Sequence, residues 1–291
     1  MRENFTFIPQ IGGRSIAEGR LGVNDLSARG RSAPALSVKA ASFRGFFVSD
    51  ATPLNLNVKA LFFDVFGTLV DWRGGVAREA EALLAPLGYR LDWPAFADAW
   101  RGEYQTGMEE VRSGRIAFAK LDLIHRRNLD RILPRFGLGG APEAALGELN
   151  LAWRRLDAWP DVAAGLGALR EAFLIAPVSN GNISLLVALA RRNGFPFDAI
   201  LGAEIACAYK PAPEVYLSAA AALDLPPSAC LMVAAHSDDL AAAAACGLRT
   251  AHIARPLEFG PGGKGERAPE IQTDFVAADI SDLARRLGAT E

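Results

Sequence analysis

Four short segments of this sequence bring together side chains that could do chemistry: Asp64-Val65-Phe66-Gly67-Thr68, Ser179-Asn180-Gly181, Lys210-Pro211 and His236-Ser237-Asp238-Asp239. Asp64 ends the apolar run 58–63. An aspartate there can form a turn or cap a helix, or it can serve as a carboxylate nucleophile that is esterified during a reaction. Ser179 and Asn180 suit a helix N-cap. They also suit an anion site made of a hydroxyl, an amide and helix N-terminal N–H groups, and the two readings are compatible. His236 carries a ring fitted to general-base work near neutral pH, which makes it a candidate for activating a water. Taken alone, Lys210 reads as a solvated loop lysine, Arg101 as a solvated helix-face residue and Tyr216 as a half-buried helix aromatic. Asp239 and Asp238 both suit a helix cap, Asp238 the better of the two.

The elements around these segments explain why they belong together. The run 58–63, apolar apart from Lys59, reads as a buried strand of a parallel sheet, and Gly67 permits a sharp turn after it. From 72 to 157 the periodicity is helical: Val76, Ala80, Leu83 and Leu84 share one face and Gly88 is a stop signal. Further helices are predicted over 93–111, 118–136 and 142–156. Strands and helices then alternate: helix 162–171, strand 173–178, helix 184–193, a short strand near Ile200, helix 213–223 with Pro213 in its first turn, strand 230–234, helix 239–246 closed by Gly247, strand 250–254 and a helix near 281–287. Residues 259–270, rich in Gly and Pro, read as a loop. Alternating strands and helices predict an α/β fold, a doubly wound parallel sheet, with an all-helical cap domain inserted over 72–157 between core segments 58–71 and 158–291. Ligands of such sheets bind beyond the carboxyl ends of the strands, where the four segments fall.

Composition narrows the function classes. The chain has 291 residues, is 51% hydrophobic and carries a formal net charge of -2, without the basic excess of a nucleic-acid binder. Three cysteines without paired spacing (Cys207, Cys230, Cys246) indicate neither a disulfide framework nor a zinc site, and fit a reducing, cytoplasmic setting. No apolar run approaches the ~20 residues of a membrane helix. Residues 1–57, with six arginines (Arg2, Arg14, Arg20, Arg29, Arg31 and Arg44) and many Gly and Ser, lack periodicity. They read as a disordered N-terminal extension, with a transit peptide or a misassigned start as alternatives, and lack the apolar core of a secretory signal.

The run Phe62-Phe63-Asp64-Val65-Phe66-Gly67-Thr68 resembles the first motif of the haloacid dehalogenase superfamily, Asp-x-x-x-Thr after a hydrophobic strand, and the later motifs follow in order. Phosphatases of that superfamily place a second Asp two residues after the nucleophile, and a magnesium-binding Asp in the last motif. Phe66 and Ala235 stand at those positions here. A hard cation wants several oxygen ligands, so metal-dependent phosphoryl transfer is disfavoured and no metal or cofactor is expected. An aromatic followed by Gly-Thr is similar to the 2-haloacid dehalogenase branch, with Phe66 where Tyr is common, walling an apolar pocket.

That resemblance implies further roles. Lys210 matches the lysine of the pattern Lys-Pro-x-x-x-x-Tyr that keeps the nucleophile ionised, and Tyr216 the tyrosine of the same network. Ser179 and Asn180 would hold the substrate carboxylate, with Thr68 also at the substrate site. Arg101 matches the cap arginine that meets the leaving halide. Asp239 would orient Lys210 and the hydrolytic water, with His236 standing where well-known members carry Asn. The activity implied is metal-independent conversion of short 2-haloalkanoic acids to 2-hydroxy acids through an aspartyl ester. The alternatives are a magnesium-dependent phosphatase and a non-catalytic binding protein on the same fold. The partner implied is a small haloacid, with neither nucleic acid nor membrane; family members are often homodimers, and no interface signature in this sequence decides that.

Overall fold

The computed structural model describes residues 57–289. The expected extension over 1–57 lies outside the described residues, except for Asn57. Five parallel strands form the sheet: β1 (Ala60–Phe63), β2 (Leu174–Pro177), β3 (Cys230–Ala234), β4 (Arg249–Ile253) and β5 (Phe275–Ala277), in the order β2-β1-β3-β4-β5. The strand order reverses beside β1, which places a crevice at its carboxyl end.

Both faces of this sheet are covered, as its apolar inner strands β1 and β3 require. Leu61, Phe63, Ile175, Leu231, Val233, Ala251 and Ile253 belong to one buried cluster. Their alternating neighbours Ala60, Phe62, Ala176, Cys230, Met232 and Ala234 belong to another. Helices α6 (Val162–Arg170) and α10 (Ile280–Arg286) contribute to the first, and α8 (Pro213–Ala222) and α9 (Ser237–Ala245) to the second. Full burial of each large side chain, such as Phe62 or Phe63, stabilises the fold by roughly 1.5–3 kcal/mol. Helix α7 (Ile183–Asn193) completes the α/β core.

The helical cap is inserted between β1 and β2: α1 (Trp72–Leu84), α2 (Trp93–Gly102), α3 (Tyr104–Arg112), α4 (Leu121–Ile132) and α5 (Glu143–Asn150). The side chain of Asp71 caps α1 by accepting from the Gly74 N–H, and that of Asp92 caps α2 by accepting from the Ala95 N–H. Among the described residues no helix is long and apolar enough to cross a membrane.

Several boundaries differ from the sequence expectations. The helix expected over 93–111 is two helices, broken at Glu103, whose N–H reaches back to the carbonyls of Trp100 and Arg101. Gly102, a poor helix former, stands at the break. Helices α4 and α5 are shorter than expected and run into 3₁₀ turns over Leu133–Phe136 and Leu151–Arg154. The strand near Ile200 is a single bridge from Val178 to Leu201. Helix α9 starts at Ser237, two residues early, so Asp238 and Asp239 lie in its first turn. Strand β5 was not expected: it is a three-residue edge strand whose Val276 is exposed, too short to show a period.

Candidate active site

The nucleophile position is built by β1 and the turn after it. The Asp64 N–H still donates to the Val233 carbonyl at 3.0 Å, as in the sheet, and the chain then reverses through Gly67 at φ +89°. This turn brings the Thr68 hydroxyl back to Asp64, to which it donates at 2.8 Å on Oδ2. The Thr68 oxygen accepts the Ala235 N–H at 2.9 Å, so its proton is directed at the carboxylate. The loop after β3 thereby fixes the side chain at the end of β1.

Lys210 meets Asp64 from the other side. Its Nζ lies 3.4 Å from Asp64 Oδ1 and 2.7 Å from Asp239 Oδ2, and the Tyr216 hydroxyl donates to Asp239 Oδ1 at 2.6 Å. The lysine is held by its main chain: its N–H donates to Asn180 Oδ1 at 2.7 Å and its carbonyl accepts from Arg112 of α3 at 3.1 Å. Burial disfavours the ammonium, yet Asp239 and Asp64 outweigh it and raise the Lys210 pKa. Burial likewise opposes ionisation of Asp64, but Lys210 and then His236 hold its carboxyl well below the usual carboxylate range. Asp239 is the weaker acid, its pKa raised by burial and by the Asp64 charge against the pull of Lys210. Burial and the Asp239 carboxylate push the Tyr216 phenol far up, so it is a donor.

His236 stands between two carboxylates. Its Nδ1 is 3.2 Å from Asp64 Oδ2, and its Nε2 is 3.0 and 3.1 Å from the two oxygens of Glu258. Glu258 is 1% exposed, and its Oε1 also accepts from the indole Nε1 of Trp72, the first residue of α1, at 3.0 Å. Burial disfavours the imidazolium, but the hydrogen bonds to Asp64 and Glu258 prevail, and the His236 pKa lies well above its ordinary value. Both ring nitrogens lie within 3.2 Å of carboxylate oxygens, an arrangement that favours the protonated ring over the free lone pair a general base needs.

These groups open on a cavity of about 930 Å³ whose lining includes Asp64, Phe66, Arg101, Asn180, Lys210, Tyr216, His236 and Asp239. The Arg101 guanidinium sits 3.9 Å from the Tyr104 ring centroid and 5.4 Å from that of Trp72, held by cation–π attraction. Its Nη1 is buried with no protein partner, a donor left for an anion. Phe66 packs edge-on to Trp153 at 5.9 Å and forms an apolar wall. Thr68 stands behind Asp64, fully buried. Ser179 is also buried, its Oγ accepting the Gly181 N–H at 3.2 Å, so it shapes the turn while Asn180 reaches the cavity. The side chains of Phe66 and Ala235 bring no oxygen ligand to Asp64, while Lys210 Nζ lies 3.4 Å from its Oδ1 and His236 Nδ1 3.2 Å from its Oδ2. This donor set suits an anionic substrate, not a divalent cation.

The family model of the haloacid dehalogenase-like hydrolases matches residues 58–247. The chain belongs to this family. Among curated proteins it is 30% identical to (S)-2-haloacid dehalogenase 1 of Pseudomonas sp. (strain CBS-3) over 208 residues, covering 69% of this chain and 88% of the relative. Among solved structures it is similar to a defluorinating L-2-haloacid dehalogenase, at 44% identity and TM-score 0.78, covering 80% of this chain and 96% of the other. It is also similar to the L-2-haloacid dehalogenase of Xanthobacter autotrophicus with chloropropionic acid covalently bound, at 26% identity and TM-score 0.67, covering 80% of this chain and all (100%) of the other.

In this haloacid dehalogenase-like hydrolase, sequence reasoning missed Glu258 and Tyr104 and left Trp72 without its partner. A signal for Glu258 existed. The loop after β4 also leaves the carboxyl edge of the sheet, where ligands of such folds bind, although its Gly- and Pro-rich composition marks it only as a connection. Of the other histidines, His125 lies in α4, stacked on Trp153 at 4.1 Å, and burial together with Arg101 depresses its pKa so that it is neutral. His252 is buried in β4, 3.3 Å from Glu266. Neither is among the residues lining the cavity.

Proposed function

We propose that this protein hydrolyses the carbon–halogen bond of short (S)-2-haloalkanoic acids, by way of an ester on Asp64. The observation that carries this reading is Asp64 flanked by Lys210 at 3.4 Å and His236 at 3.2 Å, in an aromatic-walled cavity that Arg101 also lines. In the first step Oδ1 of Asp64, the oxygen that takes only the longer Lys210 contact, attacks the α-carbon. The carbon–halogen bond breaks, and the halide leaves with the bonding pair. Arg101 meets the developing charge. The Asn180 amide, whose oxygen is taken by the Lys210 N–H, turns its Nδ2 donors to the substrate carboxylate.

In the second step water attacks Cγ of the ester. Asp239 takes one water proton and delivers it to the departing alkoxide oxygen as the Cγ–Oδ1 bond breaks. The second proton passes to solvent, and the carboxylate is restored. The substrate carboxylate and the halide are matched by Arg101 and Lys210, which supports a metal-independent reaction.

The test is halide release from racemic 2-chloropropionate in EDTA, with Asp64→Asn as control and chiral analysis of the product. Release that needs Asp64 and converts only the (S) enantiomer, to inverted lactate, is expected. Absence of release together with magnesium-dependent cleavage of aryl phosphates would replace this reading with the phosphatase one.

A further inference from the structure

Glu258 stands outside every motif of the sequence, yet it is almost fully buried at the cavity wall and commits both oxygens to His236 and one of them also to Trp72. A buried carboxylate that contacts only donors holds those donors in place. His236 Nδ1 and the Thr68 hydroxyl converge on the same oxygen of Asp64, at 3.2 and 2.8 Å. When Oδ1 carries the substrate, Oδ2 is the carbonyl oxygen of the ester, and it takes the negative charge when water adds to Cγ. A hydroxyl that donates to that oxygen at 2.8 Å and a ring nitrogen 3.2 Å from it place two potential donors where an oxyanion hole needs them.

We infer that Glu258 is a positioning residue that holds His236 as a hydrogen-bond donor, so that His236 and Thr68 together form an oxyanion hole on Oδ2 of Asp64 for hydrolysis of the ester. The inference rests on the Asp64-ester reading above. No proton need leave the ring: the water proton goes to Asp239, and His236 donates throughout. The charged and titratable groups facing the ring are Asp64 at the end of β1, Glu258 from the loop after β4, and His252 in β4, which burial keeps neutral. Asp238 and Asp239 of α9 and the cations Arg101, Lys210 and Lys264 share the cavity. When Asp64 is esterified its charge is lost, and Glu258 is then the carboxylate that keeps the ring protonated.

The experiment compares the wild type with Glu258→Gln and Glu258→Asp. Glu258→Gln is expected to release one equivalent of halide quickly and then slow by roughly 10²–10³-fold, with the substrate-derived mass adduct on Asp64 seen in the intact protein. Its ester hydrolysis should speed up as pH falls from 7.5 to 5.5, because acid restores the imidazolium, and Glu258→Asp should recover part of the rate at neutral pH. Equal loss of the halide burst and of turnover, turnover without accumulating ester, or ester hydrolysis that slows in acid would overturn the inference. Ester hydrolysis slowing in acid would make His236 the base. Nitrogen-15 NMR of the ligand-free protein reads the ring directly, without any substrate. Both ring nitrogens of His236 should be protonated at pH 7.5 in the wild type and lose protonation at lower pH in Glu258→Gln. A neutral ring in the wild type sinks the inference even if no haloacid is turned over, and the absence of halide release with a protonated ring would fault only the choice of substrate.

Discussion

The hydroxyl of Thr68 and the ring of His236 meet on one oxygen of Asp64, which leaves Oδ1 as the oxygen free to attack. Thr68→Val keeps the shape and removes the hydroxyl, also orphaning the Ala235 N–H that it accepts. The expected result is a loss of roughly 1–3 kcal/mol in stability from the buried unsatisfied donor. Turnover should fall by roughly 10²-fold as one donor to the developing oxyanion disappears. Denaturant melts and steady-state halide assays check the two effects separately.

Lys210 sets the ionisation of Asp64. Lys210→Met leaves Asp64 and Asp239 without the cation between them, so the depressed Asp64 pKa must rise. A depressed carboxylate contributes stability above its unfolded pKa and loses it as pH falls through the folded value. The wild type therefore keeps this contribution through mildly acidic pH, and the variant has it reduced or reversed. The expected outcome is a pH profile of single-turnover halide release whose acidic limb moves upward in Lys210→Met, with a lower melting temperature near neutrality. An unmoved limb would show that Lys210 does not control the nucleophile.

Arg101 lies between the rings of Tyr104 and Trp72 with one nitrogen free of protein partners. Lysine cannot reproduce a planar, stacked guanidinium. Arg101→Lys should lower kcat/KM for 2-chloropropionate by roughly 10²-fold or more with little change in melting temperature. Retention of near wild-type kcat/KM would remove Arg101 from the leaving-group role.

His236 gives the opposite pH signature to Asp64. Its pKa is raised in the folded protein, so its stabilising contribution is complete below the unfolded value of about 6.5 and fades as pH rises through the folded value. The melting temperature of the wild type relative to His236→Gln should therefore narrow steadily from neutral to alkaline pH. A difference that widens with pH would mean that the ring is neutral at rest.

Gly67 links the nucleophile turn to Glu258. It has φ +89°, and a Cβ there would overlap the Glu258 carboxylate. Gly67→Ala should cost on the order of 1–3 kcal/mol from backbone strain and displace Glu258 from His236. A thermal melt matching the wild type, with unchanged turnover, would contradict the packing described.

Much of the core was legible because its inner strands are buried and apolar: 230–234 was located to the residue, whereas the short edge strand β5 was missed. The break at Glu103 was not legible, since apolar periodicity continues across it and only Gly102 marks it. Of the site, Asp64 and Asn180 were legible from their places at strand ends, while Lys210 and Asp239 were placed by resemblance; all four line the cavity. His236 was found, but its partner Glu258 was not, because it lies 22 residues away in a loop without periodicity. Arg101 was placed by resemblance, and the aromatic rings that fix its guanidinium depend on tertiary packing that periodicity does not encode.

The loop after β4 is clasped at its root. Arg255 donates to the Thr68 carbonyl at 2.9 Å and pairs with both oxygens of Asp161, and the Glu258 N–H returns to the Arg255 carbonyl at 3.1 Å. Beyond this clasp Phe259, Gly262, Gly263 and Lys264 line the cavity mouth. The chain thus separates a clasped root, which carries Glu258, from a stretch of cavity wall that touches the apparatus through Phe259, edge-on to Trp72 at 5.6 Å. Exchange of residues 262–264, beyond that contact, is the economical route by which an engineer would retune which acids enter.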